Sequence, residues 1–398
     1  MRRISLLATL VCAAGCGSSG TGAPPVQSRA AETDAGAPSL ERPDAAPEVE
    51  EPNVPFAMLG GGPRHLGRAA VPGPRRTPIH EGGFHAGARV FASPVIGPDG
   101  TVYVGSLDGT FNALRRAGDL RWSYVCGKPV FATAAVSRSG VVYVGCDDDT
   151  LIAIATDGTV RWTYPMKHDA DSSPVIGDDG VIYAGGDALH AVTPRGERRW
   201  KALMGRHVNA SPAVRPDGTI VVGGHDRRIY AFERDGTTLW TFATGGPIQG
   251  SAAALDGGDV VFGSDDGRVY RLAPRGGMRW KVETGAPVRS GIAVAPDGGT
   301  FYAATMGGDV LAIDSGGEIA WRFESGGPVR STPVLGSEGR LYFGSQDHHL
   351  YALDASSGEV VWRLDLGAEI DSTPALAAGR RIVVGADDGE IHFLVEER

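Results

Sequence analysis

The chain has 398 residues, of which 38 are basic and 47 acidic, and its net charge of −9 argues against a nucleic-acid partner. A chain of this length can bury ample core, so neither a disulfide nor a metal is needed for stability. No nucleophile elbow, Walker loop, HExxH or CxxC motif occurs.

In chain order, residues 1–15 come first and read as a signal peptide. Arg2 and Arg3 precede an apolar run from Ile4 to Cys12, then Ala13-Ala14-Gly15-Cys16. The run is too short to span a bilayer. Ala-Ala-Gly-Cys resembles a bacterial lipobox, with Ala13 where leucine is common, so Cys16 is the expected lipidation site. Gly17 and Ser18 follow it without the aspartate that retains proteobacterial lipoproteins at the inner membrane, which points to the outer one. Residues 16–55 hold Pro24, Pro25, Pro38, Pro43, Pro47, Pro52 and Pro55, an excess of acids and no aromatic residue, and read as a disordered, semi-extended tether. The stretch from Phe56 to Pro78 is rich in Gly, Pro and Arg and does not read as regular structure. Thr77 to Glu81 follows it and reads as a strand, with His80 falling 42 residues before Trp122.

Residues 56–398 repeat. The tryptophans are Trp122, Trp162, Trp200, Trp240, Trp280, Trp321 and Trp362, in steps of 40, 38, 40, 40, 41 and 41. A step of about forty residues is the length of a four-stranded propeller blade. Inner strands are expected to begin at Ser93-Pro94, Thr133-Ala134, Ser173-Pro174, Ser211-Pro212, Ser251-Ala252, Ser290-Gly291, Thr332-Pro333 and Thr373-Pro374, which makes eight blades. The second strands are β-branched and aromatic, as in Thr101-Val102-Tyr103-Val104 and Leu341-Tyr342-Phe343, and suit central positions. The last repeat supplies three strands and stops, so the strand around His80 is expected to complete it. That makes the fold an all-β, eight-bladed propeller of four-stranded antiparallel blades, closed by an N-terminal strand.

Chain polarity sorts the loops onto two faces. On one, the hairpin after the second strand carries Asp108, Asp148, Asp187, Asp226, Asp266, Asp347 and Asp388, with Gly307 in blade 6; the plainer expectation is that they cap tight turns, the sharper that they form an acidic face, strengthened by Asp147, Asp149, Asp265 and Asp387, that attracts a basic partner. On the same face, the residues just before the inner strands should ring the channel mouth: Phe91, Phe131, Asp171, Asn209, Gln249, Arg289, Arg330 and Asp371. Two adjacent arginines, two amides, carboxylates and two phenylalanines form a candidate partner-binding rim for an anionic group or a peptide; the plainer alternative is a solvated rim with internal ion pairs. Cys126 and Cys146 fall near this face. A disulfide between them suits an oxidising periplasm, although the strand reading leaves their separation open. His348-His349 in a hairpin turn reads as solvated, the other histidines look scattered, and no metal site is expected.

Ala352-Leu353-Asp354 and Gly358 before Trp362 resemble the tryptophan-docking motif of quinoprotein-type eight-bladed propellers, built from PQQ-like repeats. Shorter versions are Ala153 with Gly158 and Trp162, Ala231 with Gly236 and Trp240, and Ala312 with Gly317 and Trp321. The resemblance implies that all seven tryptophans are structural, each indole packing on the neighbouring blade. Enzymes of this kind bind pyrroloquinoline quinone with calcium on long insertions and typically carry adjacent cysteines. This chain has neither feature, so no cofactor is expected. Within that group it most resembles the BamB-type outer-membrane assembly lipoproteins, which implies a monomeric, non-enzymatic scaffold on the periplasmic face of the outer membrane that binds proteins of the assembly machinery. Two other readings stay open: a ligand-binding or sensory propeller using the channel mouth, and a PQQ-dependent dehydrogenase.

Overall fold

The computed structural model describes residues 57–397. The expected signal peptide, Cys16 and the tether lie outside the described residues. Eight four-stranded antiparallel sheets follow one another. Blade 1 comprises Val95–Ile96, Val102–Gly105, Thr110–Leu114 and Leu120–Val125, and blades 2 to 7 repeat that meander. Blade 8 takes Ala375–Ala377, Arg381–Gly385 and Glu390–Val395 from the C-terminal end and Ile79–His85 from the N-terminal end, the last two paired antiparallel. The ring is therefore shut by strands from opposite ends of the chain. Core side chains sit between neighbouring blades: Phe111 and Ala113 of blade 1 pack in one cluster with Val144 and Ile152 of blade 2.

The inner strands are shorter than the sequence suggests, two residues in blades 1 to 7 and three in blade 8. The Ser and Thr expected to open them lie just outside and link one blade to the next. Ser93 N–H donates to Thr133 Oγ1 at 3.0 Å, Thr133 N–H to Ser173 Oγ at 3.0 Å and Ser173 N–H to Ser211 Oγ at 3.1 Å. Gly291 N–H donates to Thr332 Oγ1, Thr332 to Thr373 Oγ1, and Thr373 back to Ser93 Oγ across the closure. These hydroxyls satisfy inward-facing N–H groups that a two-residue strand leaves without a ladder partner.

The indoles dock on the next blade. Trp122 Nε1 donates to Thr156 O at 3.0 Å, Trp162 Nε1 to Pro194 O at 2.9 Å and Trp200 Nε1 to Arg234 O at 2.7 Å. Trp240 Nε1 donates to Pro274 O at 2.9 Å, Trp280 Nε1 to Ser315 O at 3.0 Å and Trp321 Nε1 to Ala355 O at 3.1 Å. The glycine beneath each of these rings comes from the following repeat: Gly158 lies under Trp122, Gly276 under Trp240, Gly317 under Trp280 and Gly358 under Trp321. The sequence grouped each such glycine with the tryptophan that follows it, as in Gly317 with Trp321, whereas the fold gives it to the tryptophan of the repeat before. Glycine is required there because a Cβ on Gly158 would sit 2.9 Å from the Trp122 ring, and its φ is +90°. Blade 8 has no such turn, so Trp362 donates instead to Pro74 O at 3.0 Å. The eighth indole position falls on Gly82, which pairs with Phe393 as Trp362 pairs with Ala352. The expected equivalent, His80, pairs with Leu394, on the other side of the bulge between His80 and Gly82.

The stretch without readable structure is a strap. Val136, Val214, Ala254 and Val294, each the last residue of its inner strand, donate N–H to Ala57, Pro63, Arg64 and Leu66 carbonyls at 2.8 to 2.9 Å. Leu335 N–H donates to Gly67 O, and Ala69 N–H to Leu335 O. The strap thus crosses the channel end opposite the rim, touching blades 2, 4, 5, 6 and 7. His65 is its buried centre, 2% exposed, with Nδ1 2.8 Å from Leu59 O and Nε2 2.7 Å from Pro212 O. Full burial pushes this imidazole below its usual range, against two carbonyls that favour its charged form.

Candidate partner-binding rim

In blades 1, 2 and 5 to 8 the lead-in loop is clamped twice, once to its own blade and once to the one before; blade 4 keeps the second clamp only, and blade 3 has neither among the described residues. In blade 2, Asp147 N–H donates to Pro129 O at 3.2 Å, while Val130 N–H donates to Ser106 O of blade 1 at 3.1 Å. The eight expected residues occupy equivalent positions before the inner strands, seven half-buried and Asp371 buried.

Most of their charge is committed. Arg289 grips Asp265 through Nε at 2.9 Å and Nη2 at 3.3 Å, and Gln249 Nε2 donates to the same carboxylate at 2.6 Å. Asn209 Nδ2 donates to Asp171 at 2.9 Å, and Gln346 Nε2 to Asp371 at 2.9 Å. Arg89 pairs with Asp387 and stands 3.9 Å from Asp371. The hydrogen bond to Asp387 raises the Arg89 guanidinium above its usual range. The expected pair of arginines is thus unequal. Arg330 makes no ion pair among the described residues; its guanidinium lies over the Phe91 ring at 4.6 Å, and Phe91 meets Phe131 edge-on at 5.5 Å. Burial, with Arg289 and Arg89 nearby, lowers the Arg330 pKa although Asp371 opposes the shift. A desolvated cation with a planar fork of free donors, stacked on an aromatic wall, is a receptor for a carboxylate or similar anion.

A second ring comes from the turn after each second strand, where Asp147, Asp265 and Asp387 are expected to add to an acidic face. Asp265, Gln346 and Asp387 belong to it, and so does Asp147, whose carboxyl is pushed up to about 8, first by burial and then by Asp171 and Asp169. One oxygen of Asp147 and one of Asp171 are buried without a hydrogen-bond partner. In seven of the eight turns the next residue is the recurrent aspartate, which caps the turn in blades 1 and 7: Asp108 accepts Thr110 N–H at 2.8 Å, and Asp347 accepts His349 N–H, Gly326 N–H and the Tyr351 hydroxyl. Cys126 and Cys146 are disulfide-bonded, with Cα atoms 5.8 Å apart, and the bond ties blade 1 to blade 2 beside Asp147.

The histidines are not all scattered. His168, His207 and His225 stack in series on this face, with ring centroids 4.7 and 5.1 Å apart. They are far apart in sequence, and only the repeat register, which places His168 and His207 on successive lead-ins, could have signalled the cluster. Among the described residues no three His, Cys, Asp or Glu side chains converge to hold a metal.

An eight-bladed propeller with one mouth strapped and the other ringed by half-buried polar and aromatic side chains defines a class: a closed ring that offers one open face. The family model described as outer membrane protein assembly factor BamB matches residues 76–202, 185–315, 265–336 and 312–395, and the chain belongs to that family. Among solved structures it is similar to BamB from Moraxella catarrhalis, at 17% identity and TM-score 0.66, covering 80% of this chain and 99% of that one. It is also similar to a europium-containing methanol dehydrogenase, at 16% identity and TM-score 0.68 over 87% of this chain and 98% of that one. A third is the quinohemoprotein alcohol dehydrogenase from Comamonas testosteroni, at 15% identity and TM-score 0.72 over 86% of this chain and 81% of that one. At these identities the likeness shows the fold. The comparison with curated proteins finds no match.

Proposed function

We propose that this protein is a non-enzymatic scaffold of the bacterial cell envelope that holds partner proteins of outer-membrane assembly on its open rim. Membership of the BamB family supports the class of role. The observation that carries the site is Arg330, free of ion pairs among the described residues, half-buried and stacked on Phe91. It offers a partner's carboxylate several donors, while Phe91 and Phe131 offer apolar area beside it. A lipid on Cys16 and the tether of residues 16–55 would hold the ring near the membrane, with the outer membrane as the proposed location.

Affinity capture of outer-membrane assembly proteins from solubilised envelopes tests this. Replacing Arg289 and Arg330 together by alanine should abolish capture. Arg330→Ala alone should account for most of the loss, because Arg289 is already engaged by Asp265. Undiminished capture by the double variant would remove the rim from the reading. The dehydrogenase reading rests on fold likeness alone, and a visible absorbance spectrum after adding pyrroloquinoline quinone separates it from the scaffold.

A further inference from the structure

Blade 3 breaks the repeat in one place, and the other seven blades serve as its internal standard. The residues that pair across the second and third strands are eight positions apart in blade 4 (Val222 and Tyr230) and blade 5 (Phe262 and Tyr270), but six apart in blade 3 (Ala184 and His190). This shorter turn accounts for the step of 38 between Trp162 and Trp200.

A second departure accompanies it. Four residues before the rim position, seven blades carry glycine and blade 3 carries Lys167. In blades 4, 5 and 7 the turn aspartate presses on that glycine: Asp226, Asp266 and Asp347 accept the N–H of Gly205, Gly245 and Gly326 at 3.2, 2.7 and 2.7 Å. A Cβ on Gly205 would lie 2.4 Å from Asp226. In blade 3 the shortened turn turns Asp187 elsewhere, so a side chain fits at 167. Lys167 stands there at φ +62°, a left-handed conformation that disfavours any residue but glycine. Strain kept at a position where seven equivalents avoid it points to a use for the side chain.

The space so created is a cleft of about 290 Å³ lined by Tyr164, Pro165, Lys167, His190, Arg198 and Lys201. Its floor is a buried relay. Asp187 accepts from His190 Nε2 at 2.8 Å, which leaves Nδ1 to accept the Tyr164 hydroxyl at 3.0 Å. Tyr164 and His190 are 8% and 2% exposed. Lys201 pairs with the other oxygen of Asp187, while Lys167 and Arg198 make no ion pair among the described residues. Among the cleft lining and the relay beneath it, three cations stand against one carboxylate, on a protein whose total charge is −9.

We propose that this cleft binds a phosphate group, free or on a headgroup, with Lys167, Arg198 and Lys201 as its donors. A tetrahedral dianion matches both the excess of cations in the lining and the arrival of donors from two blades; a single planar carboxylate would need only one arginine fork. The site is independent of the rim and of the partner reading.

The test is calorimetric titration of the full chain, carrying Cys16→Ser to keep lipid off the N-terminus, with inorganic phosphate at fixed ionic strength. Saturable binding is expected, weakened roughly fivefold or more by Lys167→Gly and by Arg198→Gln, each of which removes a charge-assisted donor. Lys167→Gly should melt at the same or a higher temperature, because glycine accepts the left-handed backbone that lysine resists. Losing the ligand without losing stability separates a binding role from a structural one, and Arg198→Gln, at an exposed position, serves if the first variant fails to fold. No saturable phosphate binding by the parent chain, or unchanged binding by the variants, overturns the proposal. Sedimentation with phosphatidylcholine vesicles with and without phosphatidate identifies the source: selective retention on phosphatidate indicates a headgroup, and equal retention indicates free phosphate.

Discussion

Asp147 shows how much a single rim residue costs the ring. Its carboxyl is pushed up to about 8, chiefly by burial, whereas in an unfolded chain it titrates near 3.9. Between those values the folded protein keeps a proton that the unfolded chain releases, so this group makes stability fall as pH rises from about 4 to about 8. Asp147→Asn removes the ionisable group and should raise the melting temperature at pH 8, with the gain shrinking towards zero near pH 4; a gain that does not vary with pH would refute the protonated carboxyl. Gly82 is the opposite case, a residue whose worth is having no side chain. A Cβ there would lie 2.1 Å from the Ala117 carbonyl oxygen of blade 1. Gly82→Ala should cost about 1–3 kcal/mol, read as a shift of the urea midpoint. Counting back from Trp122 pointed to His80 because spacing carries no information about the bulge that moves the register.

At the scale of elements, the blades could be read from the chain and the strap could not, for a physical reason. A blade announces itself through alternation and through tryptophans at equal steps, both of which arise within about forty residues. The strap has no period, since each of its carbonyls is fixed by a different blade and the order comes entirely from tertiary partners. The rim lay between these extremes: register placed all eight residues, but only the fold reveals that Asp265 engages Arg289 and leaves Arg330 free. His65 anchors the strap through two buried carbonyl contacts. A neutral imidazole donates to one of them, and replacing it by alanine leaves that buried carbonyl without its donor, at a cost of about 2 kcal/mol. Opening of the strap should then be about thirtyfold more frequent, and trypsin should cut at Arg64 and Arg68 at a correspondingly higher rate while the blades remain intact. Cleavage at the parental rate would show that the backbone bonds alone hold the strap.

For the whole molecule, the decisive interaction joins the most distant parts of the chain. His85 and Glu390, 305 positions apart, share a side-chain hydrogen bond of 2.8 Å at the end of the ladder between Ile79–His85 and Glu390–Val395. Forming that ladder requires closing nearly the entire chain into a loop, so its ordering cost is met only once the other blades are in place. Without residues 57–86, strand Glu390–Val395 becomes an open edge, Trp362 loses the Pro74 carbonyl and the far mouth of the channel is uncovered. An unpaired edge of six residues is a template for pairing with another copy. A chain truncated to begin at residue 87 should therefore self-associate as its concentration rises, measured by sedimentation velocity. A synthetic peptide of residues 57–86 added in trans should return it to monomer, because the peptide carries both the missing strand and the strap. If the truncated chain stays monomeric and melts like the parent, the ring is held by its indole contacts and hydroxyl links, and the shared blade is only where the chain happens to begin and end.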